Sequence, residues 1–284
     1  MSVSSGWPAP AKLNLMLHIT GRREDGYHLL QTVFQFVDYA DELSFNVTPS
    51  GEISHLTPLT GVDPEQDLII RAARLLQQRS GCRQGAAISI DKCLPMGGGL
   101  GGGSSDAATT LVALNHLWGI GLPLDELARL GGELGADVPV FVHGNAAWAE
   151  GVGEILQPVE LPQPWYLVVI PPVEIATAKL FSDQELTRDC SPIKIADFIA
   201  GDTLNVFTAV VRKRYPAVAA SMDMLACFGE VRLTGTGACL FLAFGTRQQA
   251  VETAEQLPQQ LNTFIAQGLN RSPLYRRLDN DRGA

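Results

Sequence analysis

The sequence predicts an α+β protein made of two domains. Its 284 residues exceed the usual size of a single domain, which is about 100 to 200 residues. Strand-like stretches with alternating apolar residues occur in both halves, and so do helical stretches with apolar residues three or four positions apart. A proline-rich segment, residues 158–172, flanks a buried strand that opens the second half. We therefore predict an N-terminal domain over residues 1–158 and a C-terminal domain over residues 159–284.

The composition is that of a globular protein, with 46% hydrophobic and 18% charged residues. A net charge of −9 argues against nucleic acid or an anionic membrane as a partner, because neither would find a basic surface. No apolar run approaches the roughly 18 residues of a membrane span, and the first ten residues lack the pattern of a signal peptide. Five cysteines without a C-x-x-C pair indicate reduced thiols. We expect a cytoplasmic protein, and the sequence leaves its oligomeric state open.

The first predicted strand, residues 11–19, alternates strictly between two faces. Four aliphatic side chains lie on one face, and Lys12, Asn14, Met16 and His18 lie on the other. This alternation is typical of a half-buried strand. The more polar face is either solvated or functional, and the pattern alone leaves both possibilities open.

A charged turn with an Asp-Gly pair, residues 22–26, predicts a hairpin into a second strand over residues 29–37. Tyr27 and His28 stand where that strand begins. An aromatic ring followed by an imidazole can stack on a planar base and hydrogen-bond to it, or it can cover the edge of the core. Further along, Asp63, Pro64 and Gln66 fit the N-cap, first position and capping box of a helix that ends near Gly81.

The most informative stretch is a glycine-rich loop followed at once by an apolar helical run: Leu94-Pro95-Met96-Gly97-Gly98-Gly99-Leu100-Gly101-Gly102-Gly103-Ser104-Ser105-Asp106. Glycines allow positive φ angles and a close approach of the backbone to a ligand. Ser104 or Ser105 can cap the helix, which then continues to Gly119. Unpaired N–H groups of the loop and of the helix start form an anion site, and phosphate is the expected anion.

Other types of glycine loop fit this stretch less well. A Walker A loop needs Lys directly before its Ser or Thr, where this chain has Gly103. The spacing of Gly97, Gly99 and Gly102 matches the dinucleotide fingerprint. In that fingerprint, however, the glycines directly follow a buried parallel strand, and these glycines do not. A flexible linker does not usually lead straight into a capped amphipathic helix.

A single carboxylate, Asp137, lies inside an otherwise apolar run, residues 135–141, after a helix predicted over residues 124–134. Such a position is costly for a charge. Asp137 either caps a short helix that starts at Val138 and Pro139, or acts as a catalytic acid or base. In the second half, helical stretches are predicted at residues 193–200 and 204–228. A strand at residues 231–233 then leads into a second Gly/Thr loop, residues 234–239, and an apolar stretch.

Together, these motifs resemble those of the GHMP kinase superfamily over essentially the whole chain. The resemblance rests on residues 10–14 with 26–28, on loop residues 95–108, and on residues 233–238. It implies the two-domain GHMP kinase fold, with an ATP-binding N-terminal domain and the active site in the interdomain cleft. It also implies ATP- and Mg²⁺-dependent phosphorylation of a hydroxyl on a cytidine-diphosphate-linked methylerythritol, a small-molecule substrate of non-mevalonate isoprenoid precursor synthesis.

The resemblance further assigns roles to individual residues. Asp137 matches the catalytic carboxylate and Lys12 its charged partner. The positions that match the ATP site are Lys92 near the adenine, and Pro95, Gly97, Gly98, Gly99, Gly101, Gly102, Gly103, Ser104 and Ser105 around the phosphates. The positions that match the substrate side are Asn14, Tyr27, His28, Thr177 and Phe181, with Tyr27 and Phe181 on either side of the cytosine. Asp67 departs from the Asn that some relatives have at the adenine, and no magnesium ligand can be assigned between Ser105 and Asp106.

Two other functions fit the sequence less well. One is a mevalonate or homoserine kinase of the same superfamily, but neither substrate contains a base that Tyr27, His28 and Phe181 could bind. A nucleotide-binding regulator without catalysis would be expected to lack Lys12 or Asp137, and both are present. The sequence therefore favours a kinase that acts on a cytidine diphosphate derivative.

Overall fold

The computed structural model describes residues 3–283 and confirms the α+β prediction. The strands in this range are β1 (Ser4–Arg22), β2 (His28–Thr48), β3 (Ile53–His55), β4 (Gly85–Asp91), β5 (Ala147–Glu150), β6 (Ile155–Pro158), β7 (Trp165–Ile170), β8 (Arg232–Leu233), β9 (Leu240–Phe244) and β10 (Asn262–Leu269). The helices are α1 (Leu68–Ser80), α2 (Gly102–Leu117), α3 (Leu124–Leu134), α4 (Val138–His143), α5 (Thr177–Phe181), α6 (Ile195–Ile199), α7 (Phe207–Arg214), α8 (Pro216–Leu225), α9 (Arg247–Glu255) and α10 (Pro273–Arg282).

The strands form one continuous sheet in the order β3-β4-β2-β10-β7-β9-β8, and β1 and β5 join it through β2. Apart from the parallel β3–β4 pair, the ladders between these strands are antiparallel. The two halves of the sheet meet at a short ladder, in which Gly268 and Leu269 of β10 pair with Val37 and Phe36 of β2. The sheet therefore connects both halves of the chain.

Three apolar clusters pack on this sheet. The first lies between β2, β4 and helices α1 to α4, and also contains residues of the C-terminal helix α10. The second lies between β7, β9 and helices α5, α7, α8 and α9. The third follows β1 where the two halves meet. Helix α10 thus returns to the first cluster after the chain has built the second, and the domain division at residue 158 stays a prediction.

Strand β1 is covered on both faces, so the prediction of a half-buried strand is wrong. Lys12 and Asn14 are each 3% exposed and His18 is 4% exposed. The reason is that β1 contributes residues to all three apolar clusters and passes between them. Its unpaired edge is also covered, because Lys12 N–H donates to Leu100 O at 3.0 Å and Asn14 N–H donates to Thr234 Oγ1 at 3.0 Å. Both glycine loops are thereby attached to one strand.

Helix α1 begins one turn later than predicted. Its N-cap is Asp67, whose Oδ1 accepts a hydrogen bond from Ile69 N–H at 2.9 Å. Asp63 instead closes a turn by accepting from Glu65 N–H at 3.0 Å. The predicted end is confirmed, because Gly81 takes the left-handed conformation that terminates many helices.

Most remaining elements agree with the sequence, although β2 continues to Thr48, well beyond its predicted end at residue 37. The Asp-Gly turn joins β1 to β2, α3 and β7 have the predicted extents, and β8 and β9 form a hairpin around the second Gly/Thr loop. The predicted helical stretch 204–228 is divided where Pro216 starts α8, because proline cannot continue the hydrogen bonding of α7. Within residues 3–283, no helix combines the length and apolar character required to span a membrane.

Candidate active site

A cavity of about 1230 Å³ lies where the two halves of the protein meet. This volume exceeds the roughly 300 to 1,000 Å³ of a pocket for one small molecule, so it has room for two ligands. Its walls are the glycine loop, the polar face of β1, the start of β2, helix α5 and the second Gly/Thr loop. All the predicted site residues line it except Ser105: Lys12, Asn14, Tyr27, His28, Lys92, Pro95, Gly97, Gly98, Gly99, Gly101, Gly102, Gly103, Ser104, Asp137, Thr177 and Phe181.

The backbone of the glycine loop is left-handed at two closely packed positions. Gly99 has a φ of +78° and Gly101 a φ of +75°. An added Cβ would lie 2.2 Å from Thr234 O at the first position and 2.7 Å from Phe141 Cζ at the second. Neither the dihedral angle nor the available space admits a side chain there. The loop therefore presents its backbone to the cavity.

Helix α2 starts directly from this loop with Gly101 as its N-cap, so the predicted capping by Ser104 or Ser105 is wrong. The first helical bond joins Ser105 N–H to Gly101 O at 2.8 Å. The N–H groups of Gly102, Gly103 and Ser104 consequently have no partner within the helix. Glycine has no side chain that could accept from the first N–H groups of its helix, so a start at Gly101 leaves these donors for an anion.

Ser104 and Ser105 have different surroundings. Ser104 lines the cavity, but Ser105 lies on the buried face of α2 and is fully buried. Its hydroxyl has no hydrogen-bond partner among residues 3–283. The structure therefore does not bring the Ser105 side chain to the ligand cavity.

Lys12 and Asp137 form an ion pair inside the cavity. Lys12 Nζ lies 3.2 Å from Asp137 Oδ2, and it also donates to Asn14 Oδ1 at 2.5 Å and to Gly99 O at 3.3 Å. The register between β1 and β2 shifts on both sides of residues 12–14, and such bulges redirect side chains near active sites. The Lys12 side chain is 3% exposed and that of Asp137 is 37% exposed. A ligand can therefore reach the carboxylate, while the ammonium is held in place.

Asp137 occupies the N-cap position of α4, but its side chain makes no capping hydrogen bond. Its carboxylate turns to Lys12 instead. Capping, one of the two roles that the sequence allowed, is therefore not what this carboxylate does.

Asn14 is held by neighbours that the sequence did not single out. Its Nδ2 donates to Thr32 Oγ1 at 2.8 Å, and that hydroxyl in turn donates to Met16 O at 2.5 Å. Its Oδ1 accepts from Lys12. The amide orientation is therefore fixed by both neighbours, with Oδ1 toward the ammonium.

The far end of the cavity is aromatic. Phe181 stacks on His28, with ring centroids 5.0 Å apart and an interplanar angle of 28°, and it meets Phe207 edge-on. Tyr27, immediately before His28, is 63% exposed. Thr177 Oγ1 lies 2.9 Å from the hydroxyl of Thr236 in the second Gly/Thr loop. The cytosine sandwich between Tyr27 and Phe181 stays a prediction.

Arg188 is a further lining residue that the sequence did not indicate. Its Nε donates to His28 Nε2 at 3.2 Å. Burial lowers the pKa of His28, and the positive charges of Arg188 and Arg22 lower it further. The imidazole at this end of the cavity is therefore kept neutral.

Lys92 is engaged by two buried carboxylates. Its Nζ lies 2.5 Å from Asp41 Oδ2 and 2.8 Å from Asp106 Oδ2. Asp41 also accepts from the N–H groups of Cys93 and Leu94 at 2.6 and 2.7 Å. This cluster ties the beginning of the glycine loop to helix α2. Burial raises the pKa of Asp106 to about 7, Asp41 adds to the rise, and Lys92 opposes it.

Asp67, the position that departs from the family pattern, is occupied by protein contacts. Its Oδ2 lies 2.6 Å from His55 Nδ1, and its Oδ1 caps α1. Burial opposes ionisation here, but the hydrogen bond with His55 and those from the start of α1 lower the pKa of Asp67. The side chain is an ionised acceptor that lines the cavity wall.

Comparison with known proteins gives a consistent result along the chain. The family models of the GHMP kinases N terminal domain and of the GHMP kinases C terminal match residues 67–145 and 186–263. A 4-diphosphocytidyl-2-C-methyl-D-erythritol kinase of Nitrosococcus oceani is 60% identical over 268 residues, which are 94% of this chain and 96% of the relative. One of Pseudomonas syringae pv. syringae is 57% identical over 271 residues, with 95% and 96% covered.

Solved structures show the same similarity. A crystal structure of a 4-(cytidine 5'-diphospho)-2C-methyl-D-erythritol kinase matches with a TM-score of 0.81 and 30% identity, over 94% of this chain and 99% of the other. A mevalonate kinase matches with a TM-score of 0.68 at 15% identity, over 95% and 100%. The second similarity is one of fold alone.

Proposed function

The chain belongs to the GHMP kinase family and, within it, to the 4-diphosphocytidyl-2-C-methyl-D-erythritol kinases, and from this premise we propose its reaction and the residues that perform it. It transfers a phosphoryl group from ATP to a hydroxyl of 4-diphosphocytidyl-2-C-methyl-D-erythritol, a step in isoprenoid precursor synthesis. The structural observation that carries this assignment is the Lys12–Asp137 pair, with atoms 3.2 Å apart, in a cavity between an anion-binding loop and an aromatic end.

The glycine loop suits the triphosphate of ATP. The N–H groups of Gly102, Gly103 and Ser104 lack helical partners, and they stand at the start of a 16-residue helix whose dipole favours negative charge. Lys92 lies at the beginning of the loop, and its ion pairs with Asp41 and Asp106 partly offset its positive charge. We assign the loop to the phosphates, and Lys92 to holding the loop as well as approaching the nucleotide.

Lys12 and Asp137 suit the transfer step. Phosphoryl transfer depends on positioning and charge compensation more than on covalent chemistry by the protein. The buried ammonium of Lys12 supplies a fixed positive charge for the transferred group. The accessible carboxylate of Asp137 orients the acceptor hydroxyl and takes its proton as the bond from that oxygen to the γ-phosphorus of ATP forms and the bond from the γ-phosphorus to the leaving ADP oxygen breaks. The proton leaves toward solvent through the exposed side of Asp137.

A magnesium ion fits the phosphate end of the cavity. Asp106 lines the cavity, and its Oδ1 is a buried carboxylate oxygen without a hydrogen-bond partner in the described range. Magnesium binds such oxygens, and it usually combines one or two carboxylates with substrate phosphates. Residues 3–283 contain no cluster of three or more His, Cys, Asp or Glu side chains that could hold a metal alone. Asp106 would therefore share the ion with ATP, and the bound ion would offset phosphate charge.

The aromatic end suits the cytosine. Tyr27, His28 and Phe181 offer stacking surfaces and an imidazole, and Asn14 and Thr177 add polar groups nearer the reacting centre. We also place the enzyme in the cytoplasm, since Cys82, Cys93, Cys190, Cys227 and Cys239 are all free thiols, as is usual in a reducing compartment.

A substrate panel tests the proposed function. The purified protein is incubated with ATP, Mg²⁺ and either 4-diphosphocytidyl-2-C-methyl-D-erythritol, mevalonate or homoserine, and ADP release is followed. We expect turnover with the cytidine compound alone. Asp137→Asn, purified in the same way, controls for a contaminating kinase. Comparable turnover of mevalonate or homoserine would contradict the assignment.

A further inference from the structure

The guanidinium of Arg188 is held rigidly at the aromatic end of the cavity. Its Nη2 donates to Phe181 O at 2.8 Å and to Asp183 O at 2.7 Å, and its Nη1 donates to Leu186 O at 3.0 Å. The fourth bond runs from Nε to His28 Nε2 at 3.2 Å. A guanidinium has five N–H donors, so these bonds use most of its capacity. Arg188 cannot turn toward a phosphate without breaking them.

This contact determines which nitrogen of His28 carries the proton. Arginine has no acceptor and stays protonated, so the nitrogen that faces its Nε must supply a lone pair. Nε2 of His28 is therefore unprotonated, and in the neutral ring the proton lies on Nδ1. The ring is kept neutral by burial and by the charges of Arg188 and Arg22, which lower its pKa. Arg22 itself donates to Gly26 O at 3.1 Å.

The other ring nitrogen of His28, Nδ1, is then a hydrogen-bond donor on a residue that lines the cavity. His28 lines the cavity, and its Nδ1 has no hydrogen-bond partner among the residues that the structure describes. The base of a bound pyrimidine nucleotide would meet this N–H through its Watson–Crick edge. Cytosine N3 accepts a hydrogen bond, whereas uracil N3 carries a proton. A donor that faces a donor leaves both groups unpaired, and such mismatches discriminate strongly.

We propose that Arg188 is a positioning residue which fixes His28 as an Nδ1–H donor and thereby makes the site accept cytosine and reject uracil. This inference rests on the proposed function, because it concerns the base of that substrate. Without Arg188, the imidazole is free to move its proton to Nε2 and to offer a bare Nδ1 to uracil N3–H. The residue does not touch the reacting atoms, so its effect belongs to substrate selection.

Kinetics with matched variants test the proposal. Arg188→Met removes the donor and keeps an unbranched apolar side chain, and Arg188→Lys keeps a single donor. Arg129→Met is the control, because Arg129 pairs with Glu126 and Glu133 on the exposed surface of α3. KM and kcat are measured for the cytidine substrate, for its uridine counterpart and for ATP.

We expect Arg188→Met to raise KM for the cytidine substrate about tenfold, or about 1.4 kcal/mol, and to lower the cytidine-over-uridine preference by at least that factor. The value of kcat for the cytidine substrate and KM for ATP should stay within about twofold, and Arg188→Lys should restore part of the preference. An unchanged pyrimidine preference in Arg188→Met overturns the proposal. An equal rise of KM for both substrates and ATP, with a lowered Tm, also overturns it, because Arg188 would then only support the fold.

Nitrogen-15 NMR of histidine-labelled protein provides a readout that needs no substrate. The His28 signals are assigned by their loss in His28→Gln. We expect a protonated Nδ1 and a bare Nε2 in the wild type, and a mixture of the two tautomers in Arg188→Met. A wild-type proton on Nε2 overturns the proposal. If the wild type does not phosphorylate the cytidine compound, the proposed function fails, and the specificity role fails with it even where the spectra show the expected tautomer.

Discussion

Replacing Asp137 with Asn should remove most of the turnover and leave a folded protein that binds ATP. The amide has nearly the shape of the carboxylate and keeps an oxygen that can accept from Lys12. It cannot take a proton from the acceptor hydroxyl. Loss of a general base usually lowers kcat by about 10²- to 10⁴-fold, which corresponds to about 3 to 5 kcal/mol of transition-state stabilisation.

The cost in stability should be smaller, and it follows from the geometry of the pair. Lys12 Nζ and Asp137 Oδ2 are 3.2 Å apart, and Coulomb's law gives about 1 kcal/mol at that distance in water and about 5 kcal/mol at an effective dielectric constant of 20. Asp137 is 37% exposed, so solvent screens the pair, and Asn retains a hydrogen bond. We therefore expect a loss of about 1 to 2 kcal/mol in the free energy of unfolding, or a Tm lowered by less than about 8 °C.

Three measurements decide this prediction. Steady-state ADP release gives kcat, calorimetry gives the ATP affinity, and a thermal melt gives Tm. Asp125→Asn, at an exposed carboxylate in the first turn of α3, is the control and should behave as the wild type. A kcat of Asp137→Asn within about threefold of the wild type would refute the catalytic role, since even a weak general base contributes more.

Three further perturbations separate the parts of the site. Gly101→Ala should weaken ATP binding, measured by calorimetry, at least tenfold, because the new Cβ would lie 2.7 Å from Phe141 Cζ. Gly97→Ala is the control, because Gly97 has a similar φ of +69° but open space around it. It should cost only about 1 to 2 kcal/mol of backbone strain and change the ATP affinity little. Burial raises the pKa of Asp106 to about 7, so the native state holds its proton more tightly than the unfolded state and this group's contribution to stability falls as pH rises toward 7. Asp106→Asn should therefore gain stability relative to the wild type between about pH 4 and pH 7 in urea titrations, and a pH-independent difference would contradict the raised pKa. Tyr27→Ala should raise the Kd of the cytidine substrate about 5- to 150-fold through the loss of stacking. Its Tm should stay constant, because Tyr27 is 63% exposed. Phe181→Ala should raise the same Kd and also lower Tm, because its ring packs on two other rings. Unchanged affinity in both variants would argue against cytosine stacking.

Local sequence patterns predicted most elements, but they could not show what covers each element. The alternation of apolar and more polar residues over positions 11–19 fits a strand with one solvent-exposed face, and it fits equally well a strand buried between two layers of the protein. The outcome depends on the three apolar clusters between which β1 passes, and these are built from distant parts of the chain. Leu100 and Thr234, which reach the edge of β1, are equally distant in sequence. The start of α1 was wrongly predicted at Asp63 for a similar reason. Asp63 and Asp67 both suit an N-cap, and the contact of Asp67 with His55 from β3 is visible only in three dimensions.

In the candidate site, too, residues in local motifs could be predicted, whereas residues that act through long-range contacts could not. The predicted site residues apart from Ser105 line the cavity, because glycine spacing and the Lys-x-Asn and Tyr-His patterns are local. Arg188 and Asp41 were not singled out. Arg188 acts through a bond to a residue 160 positions away, and Asp41 through a bond spanning 51 positions. Their partners are a ring nitrogen, an ammonium and backbone groups, none of which forms a recurring spacing in sequence.

Strand β1 contributes to all three apolar clusters, with Trp7 in the first, Leu13 in the third and Ile19 in the second. Either half expressed as a separate polypeptide would therefore lack one of the layers that cover this strand. The two halves should lose their structure in one cooperative transition, and separately produced fragments should regain activity only by reassembling around β1. The same arrangement couples activity to folding. Because Lys12 and Asn14 lie on the strand that both halves share, we expect the loss of either core to displace Lys12 from Asp137 and to end ATP turnover in the same transition.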